Sequence, residues 1–143
     1  MRAIWVLSLV VVVLLGNCKK DDKDDPGFTS AEGSWTYTTP DGKIKVDFDL
    51  VKDTGGSWGT KNELITVDGT QGQAAVTTSD LDPPTSGSLR INANDTKLVY
   101  DYFVLFTDLK VSDDFKTISA SAGTYEWPRN AYNDLTNVTI TRK

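Results

Sequence analysis

Seven consecutive residues, Glu126-Trp127-Pro128-Arg129-Asn130-Ala131-Tyr132, gather an indole, a phenol, a guanidinium, a carboxylate and an amide. A ring face beside hydrogen-bonding groups suits a saccharide. It equally suits the centre of a protein contact, where Trp, Tyr and Arg dominate. Pro128 stiffens the segment and so lowers the entropy lost on binding. Trp58, in the Gly- and Ser-rich run Asp53–Gly59, is a second ring placed where packing does not demand one. For both indoles the competing expectation is a ring folded back to close the end of a core. Asp101 is the one charge inside the apolar run Lys97–Thr107. It reads either as a polar anchor in a pocket or as a charge that keeps a sheet edge from pairing with others.

Much chemistry is excluded outright. The chain has no histidine, which removes Ser-His-Asp and Cys-His machinery, His-ligated zinc and the imidazole proton shuttle. Carboxylates are then the only general acids and bases, and glycoside hydrolysis would need two of them flanking one bond. No pair is singled out by spacing, so no catalytic residue is assigned. Asp80 with Asp82, or Asp113 with Asp114, could contribute to a loop calcium site, but neither run has EF-hand spacing. No metal site or cofactor is therefore expected.

The single cysteine, Cys18, ends the run Leu14-Leu15-Gly16-Asn17-Cys18. Ahead of it lie Arg2 and a 13-residue apolar stretch, Ala3–Leu15. That stretch fits a secretory signal core and falls short of the ~20 residues that span a bilayer. The run resembles the lipobox of bacterial lipoproteins, with Leu15 three residues before the cysteine and the small Gly16 between; Asn17 is larger than the usual neighbour. The resemblance implies cleavage before Cys18, lipid on its sulfur and amine, and no thiol left for other chemistry. Two or more acyl chains hold a protein stably on a membrane. The run Lys19-Lys20-Asp21-Asp22-Lys23-Asp24-Asp25 is too polar to bury a core and reads as a tether. It is also similar to the acidic cluster that follows the cysteine in surface-displayed lipoproteins of one group of Gram-negative bacteria. The resulting expectation is a lipoprotein anchored in the outer membrane through Cys18 and exposed on the cell surface. Its segments would be a signal peptide over 1–17, a tether over 18–30 and one domain over 31–143.

Residues 18–143 carry 14 Lys and Arg against 20 Asp and Glu. Such an acidic chain lacks the basic stripe that nucleic acid requires. From Trp35 onward the vocabulary is that of strands and turns. The clearest segment is Lys43–Val51, where Ile44, Val46, Phe48 and Leu50 alternate with Lys43, Lys45, Asp47 and Asp49. Period two sends the first set to a core and the second to water. Further strands are expected over 34–39, 62–67, 73–78, 88–93, 97–107, 115–125 and 135–142, with 97–107 the longest. A loop is expected over 79–87, where Pro83 and Pro84 interrupt backbone pairing.

About eight short strands point to an antiparallel β-sandwich, with a closed up-and-down barrel as the alternative. Gly33-Ser34-Trp35 near the start and Arg142 near the end resemble the lipocalin-like barrels, in which a Gly-x-Trp strand meets a basic residue of the last strand. The resemblance implies that Arg142 stacks on the Trp35 indole. The expected role is non-enzymatic binding or accessory work at the surface, with a glycan or an outer-membrane protein as partner. A carboxylate-dependent glycan hydrolase and a structural subunit of an outer-membrane complex are the alternatives.

Overall fold

The computed structural model describes residues 28–82 and 86–143, with side chains outside 78–86. The lipobox, Cys18 and the acidic run lie outside the described residues. Among the described residues there are eight strands: β1 (Gly33–Thr38), β2 (Ile44–Lys52), β3 (Trp58–Val67), β4 (Thr70–Asp82), β5 (Ser86–Ala93), β6 (Phe103–Val111), β7 (Thr117–Glu126) and β8 (Tyr132–Arg142). Each is antiparallel to the next, and β1 pairs with β8 through Trp35↔Arg142 and Thr36↔Thr141. The fold is thus the closed up-and-down, lipocalin-like barrel; of the two architectures expected, the sandwich gives way to it. Alternation along a strand is the same in both. Only the strand order, strictly sequential here, separates them.

Period two does the building. Ile44, Val46, Phe48 and Leu50 are buried, as are Trp35 and Tyr37 on β1 and Ile118 and Ala120 on β7. An eight-stranded barrel is just wide enough for its side chains to fill the interior. Asp68 and Gly69 both take positive φ, 46° and 84°, the conformation that a two-residue hairpin between twisted strands requires. Asp47 departs from the expected pattern. It points to the outer wall yet is buried, because Lys143 Nζ (2.6 Å) and Lys45 Nζ (3.0 Å) close over it. Burial alone would raise its carboxyl; Lys143, Thr36 and Lys45 instead hold it below the usual carboxylate range.

Two further expectations are corrected. Strands β4 and β5 run to Asp82 and from Ser86, so most of the expected loop over 79–87 is paired wall. The expected strand over 97–107 is half loop: 94–102 turns across the barrel, and the strand covers Phe103–Val111. Asp95 carboxylate oxygens accept the amides of Lys97 (2.9 Å) and Gln73 (3.1 Å). Leu98 N–H donates to Asp95 O at 3.0 Å, and the leucine is buried against Gly72, where any Cβ would meet its Cδ1 at 2.8 Å. A buried leucine and an acid that ties down two backbone amides hold this loop on the barrel mouth.

Connections in such a barrel alternate between its ends. At the proximal end the chain enters at Phe28, and the β2–β3 and β6–β7 turns close it. The distal end carries the β1–β2 loop, the Asp68-Gly69 turn, the 94–102 loop and the 127–131 loop. Arg142 locks the proximal end as expected, its guanidinium 5.6 Å from the Trp35 ring and 3.7 Å from that of Phe28. Its N–H groups donate to the carbonyls of Ser30 (2.8 Å), Phe115 (3.2 Å) and Glu32. Gly33, at φ +140°, makes room: a Cβ there would lie 2.5 Å from Arg142 Nη2.

Candidate functional site

The distal end is floored by a polar plug set into the barrel mouth. Tyr125 Oη donates to Asp41 Oδ2 at 3.0 Å, while Asp41 Oδ1 accepts from Thr39 Oγ1 (2.6 Å) and from Lys43 N (3.0 Å). Burial works against the Asp41 charge, but these three donors hold its carboxyl below the usual range. Tyr37 lies beneath, its phenol pushed up to about 12 by burial and by the neighbouring Tyr125 and Asp41, and its ring meets Phe106 edge-on at 5.0 Å. These groups close the mouth from inside, so a ligand at this end meets the loops above them.

The loops at 94–102 and 127–131 form a groove of about 300 Å³ lined by Val99, Tyr100, Asp101, Glu126, Arg129, Asn130 and Tyr132. Four sequence-predicted residues, Asp101, Glu126, Arg129 and Tyr132, therefore meet. Glu126 and Tyr132 face each other across the β7–β8 pair. Glu126 Oε1 accepts the Asn130 amide at 2.6 Å, which fixes the carboxylate and leaves one oxygen for a ligand. Arg129 lies 4.1 Å over the ring of Tyr100, a cation–π contact that holds the guanidinium at the groove wall. Asp101 reaches the groove on the 94–102 loop, exposed, and not from an apolar strand face as its parity suggested.

Trp127 follows the core-closing expectation. It is partly buried and packs on the core, 5.6 Å from the Tyr102 ring. Asn133 Nδ2 donates to its carbonyl at 2.6 Å, and the Trp127–Pro128 peptide bond is cis. Its outer edge lines a second groove of about 220 Å³, shared with Lys97, Leu98, Val99, Tyr100 and Tyr102 among others. Trp58 is not part of this end. It opens β3 at the proximal end, where Lys52 Nζ sits 5.5 Å over its ring, beside Ala31 and Phe115.

Sequence reasoning passed over Val99 and Tyr100. They are 77% and 39% exposed; Tyr132 is 65% exposed. Among the described residues these are the exposed large apolar side chains, and all three line the one groove. The missed signal was the loop itself: once Asn94-Asp95 is taken to start a long connection, Val99-Tyr100 becomes its tip. Among the described residues no three metal-ligating side chains cluster, and Asp114 is engaged by Ser112 Oγ and the Lys116 amide in its own turn.

The arrangement defines a side-chain-filled eight-stranded barrel that carries a mixed aromatic and polar groove on the loops of one end. The chain matches no protein-family model, no curated protein and no solved structure.

Proposed function

We propose that this chain is a bacterial lipoprotein, held in the outer membrane by lipid on Cys18, displayed on the cell surface, and acting by capturing a glycan in the distal groove. One observation carries the binding reading: the exposed large apolar side chains of the described residues converge on a groove that also presents Asp101, Glu126, Arg129 and Asn130. Ring faces cover the apolar faces of a pyranose, and the polar groups serve its hydroxyls. The mixture of both charge signs favours a neutral, hydroxyl-rich partner over a polyanion. The direction of the anchor fits as well. The chain enters at the proximal end at Phe28, ten residues after Cys18, a reach of at most about 35 Å. An anchor at that end favours a groove turned away from the membrane.

A structural subunit would need a broad apolar face, and among the described residues only three large apolar side chains are exposed, all of them on the rim of this groove. A hydrolase is the second reading, because Asp101 and Glu126 share the groove. Hydrolysis requires two carboxyl groups flanking one bond, and Glu126 is already tied through Oε1 to the Asn130 amide.

Two experiments test the proposal. Cys18→Ala should move the protein from the membrane to the soluble fraction and abolish incorporation of a radiolabelled lipid precursor. Unchanged fractionation and labelling would remove the anchor. For the groove, Tyr132→Ala and Tyr100→Ala should each weaken binding to immobilised cell-surface polysaccharide by about tenfold, or ~1.4 kcal/mol. Stability should move by no more than about 0.5 kcal/mol, as for other exposed positions. Equal retention of wild type and both variants would contradict the binding site. Release of reducing sugar, lost in Asp101→Asn and Glu126→Gln, would establish the hydrolase instead.

A further inference from the structure

Two of the grooves at the distal end are not independent. Both are walled by Val99 and Tyr100, so the tip of the 94–102 loop stands as a ridge between them. Rings continue beneath that ridge: Tyr100 lies 6.0 Å from Tyr102, which lies 5.6 Å from Trp127. Cations stand at both ends of the row, Arg129 4.1 Å over Tyr100 and Lys43 5.8 Å over Trp127. Lys43 is itself paired with Asp68 at 2.8 Å, and Asp68 lines the second groove together with Lys97. Each groove thus repeats one composition: aromatic ring, carboxylate and cation, with little net charge.

Two such grooves joined edge to edge match a repeating ligand. Resting on the glycan reading above, we infer that the distal end accepts a neutral linear oligosaccharide, with one unit in each groove and the chain crossing the Val99–Tyr100 ridge. A single sugar can occupy one groove only and leaves the other to water. A chain gains the second set of contacts without a second loss of translational freedom, so affinity must rise with length until both grooves are full. The ring row gives the direction: the chain runs from Tyr132 and Arg129 toward Trp127 and Lys97. A polyanion would meet Asp68, Asp101 and Glu126, and a polycation would meet Lys43, Lys97 and Arg129, so neither suits both grooves.

The test is calorimetric titration of residues 18–143, bearing Cys18→Ser to keep the protein soluble, with neutral gluco-, xylo- and manno-oligosaccharides of one to six units. The expected result is an affinity that rises at least about tenfold from one unit to three in the preferred series and then levels. Thr70→Trp, which fills the second groove from its exposed rim, should abolish the gain with length while binding of the shortest ligand persists. Lys97→Ala should reduce the same gain without adding bulk. Binding that is independent of length, or a gain that survives both substitutions, would overturn the two-groove inference while leaving glycan capture standing. Failure of every series at every length would overturn the glycan reading and this inference with it.

Discussion

Trp35→Ala is expected to cost the barrel about 3–5 kcal/mol, the range for deleting a large buried ring. The indole is fully buried, and its Nε1 donates to Ala31 O at 3.1 Å. Removing it leaves a cavity, an unpaired carbonyl and one bare face on the Arg142 guanidinium. The loss therefore spreads from the core into the lock that joins β1, β8, the entering chain and the β6–β7 turn. Against a total stability of roughly 5–15 kcal/mol for a domain of this kind, the variant should be largely unfolded in mild urea. Arg142→Lys should show how much of the lock depends on the planar fork, since a compact ammonium lacks the spread of donors that reaches the carbonyls of Ser30, Glu32 and Phe115 at once. Urea titrations followed by tryptophan fluorescence measure both. A cost below about 1 kcal/mol for Trp35→Ala would mean that the Gly33, Trp35 and Arg142 cluster is ornamental.

Gly123→Ala is expected to destabilise by about 3 kcal/mol, the upper end for overpacking, although it adds only a methyl group. Gly123 sits on β7 opposite Phe106 of β6 and Leu135 of β8. A Cβ there would fall inside the van der Waals boundary of the Leu105 carbonyl oxygen and within 3.4 Å of Leu135 Cδ1. The obstacle is backbone, so relief requires β6 and β7 to part rather than a side chain to turn. Gly59→Ala is the control: no atom lies within 4 Å of the added carbon. It should be neutral or slightly stabilising, because the unfolded chain loses freedom at no cost to the fold. Similar midpoints for the two variants in parallel denaturation curves would contradict the packing at Gly123.

How far these features were legible depends on how local their causes are. The inward face of β2 follows from neighbours in the chain, and it was readable. The Arg142 lock joins residues more than a hundred positions apart, yet Gly33-x-Trp35 and a basic residue of matching parity near the end betrayed it. Barrel closure left no local trace. The misreading at 97–107 is instructive. Leu98, Tyr100 and Tyr102 alternate as a strand would, but Asp95 turns the chain back on itself, and burial of Leu98 and Tyr102 comes from plugging the mouth. Glu126, Arg129 and Tyr132 came together because one short turn joins them, Glu126 ending β7 and Tyr132 opening β8 on either side of Arg129. Asp101 reached the same groove by a loop that parity could not reveal. Trp58, chosen for its Gly-rich surroundings alone, went to the opposite end because an odd number of strands separates the two.

On the proposed function, the distal loops, and not the barrel interior or the proximal end, hold the ligand. Amide chemical-shift mapping of the lipid-free protein during titration with a binding neutral oligosaccharide tests it most directly. Perturbations confined to 97–102, 126–132 and the Asp68–Thr70 turn, with Trp58, Phe115 and Arg142 unmoved, are the predicted result. Shifts centred on the proximal end, or on the buried positions of β2 and β6, would contradict it.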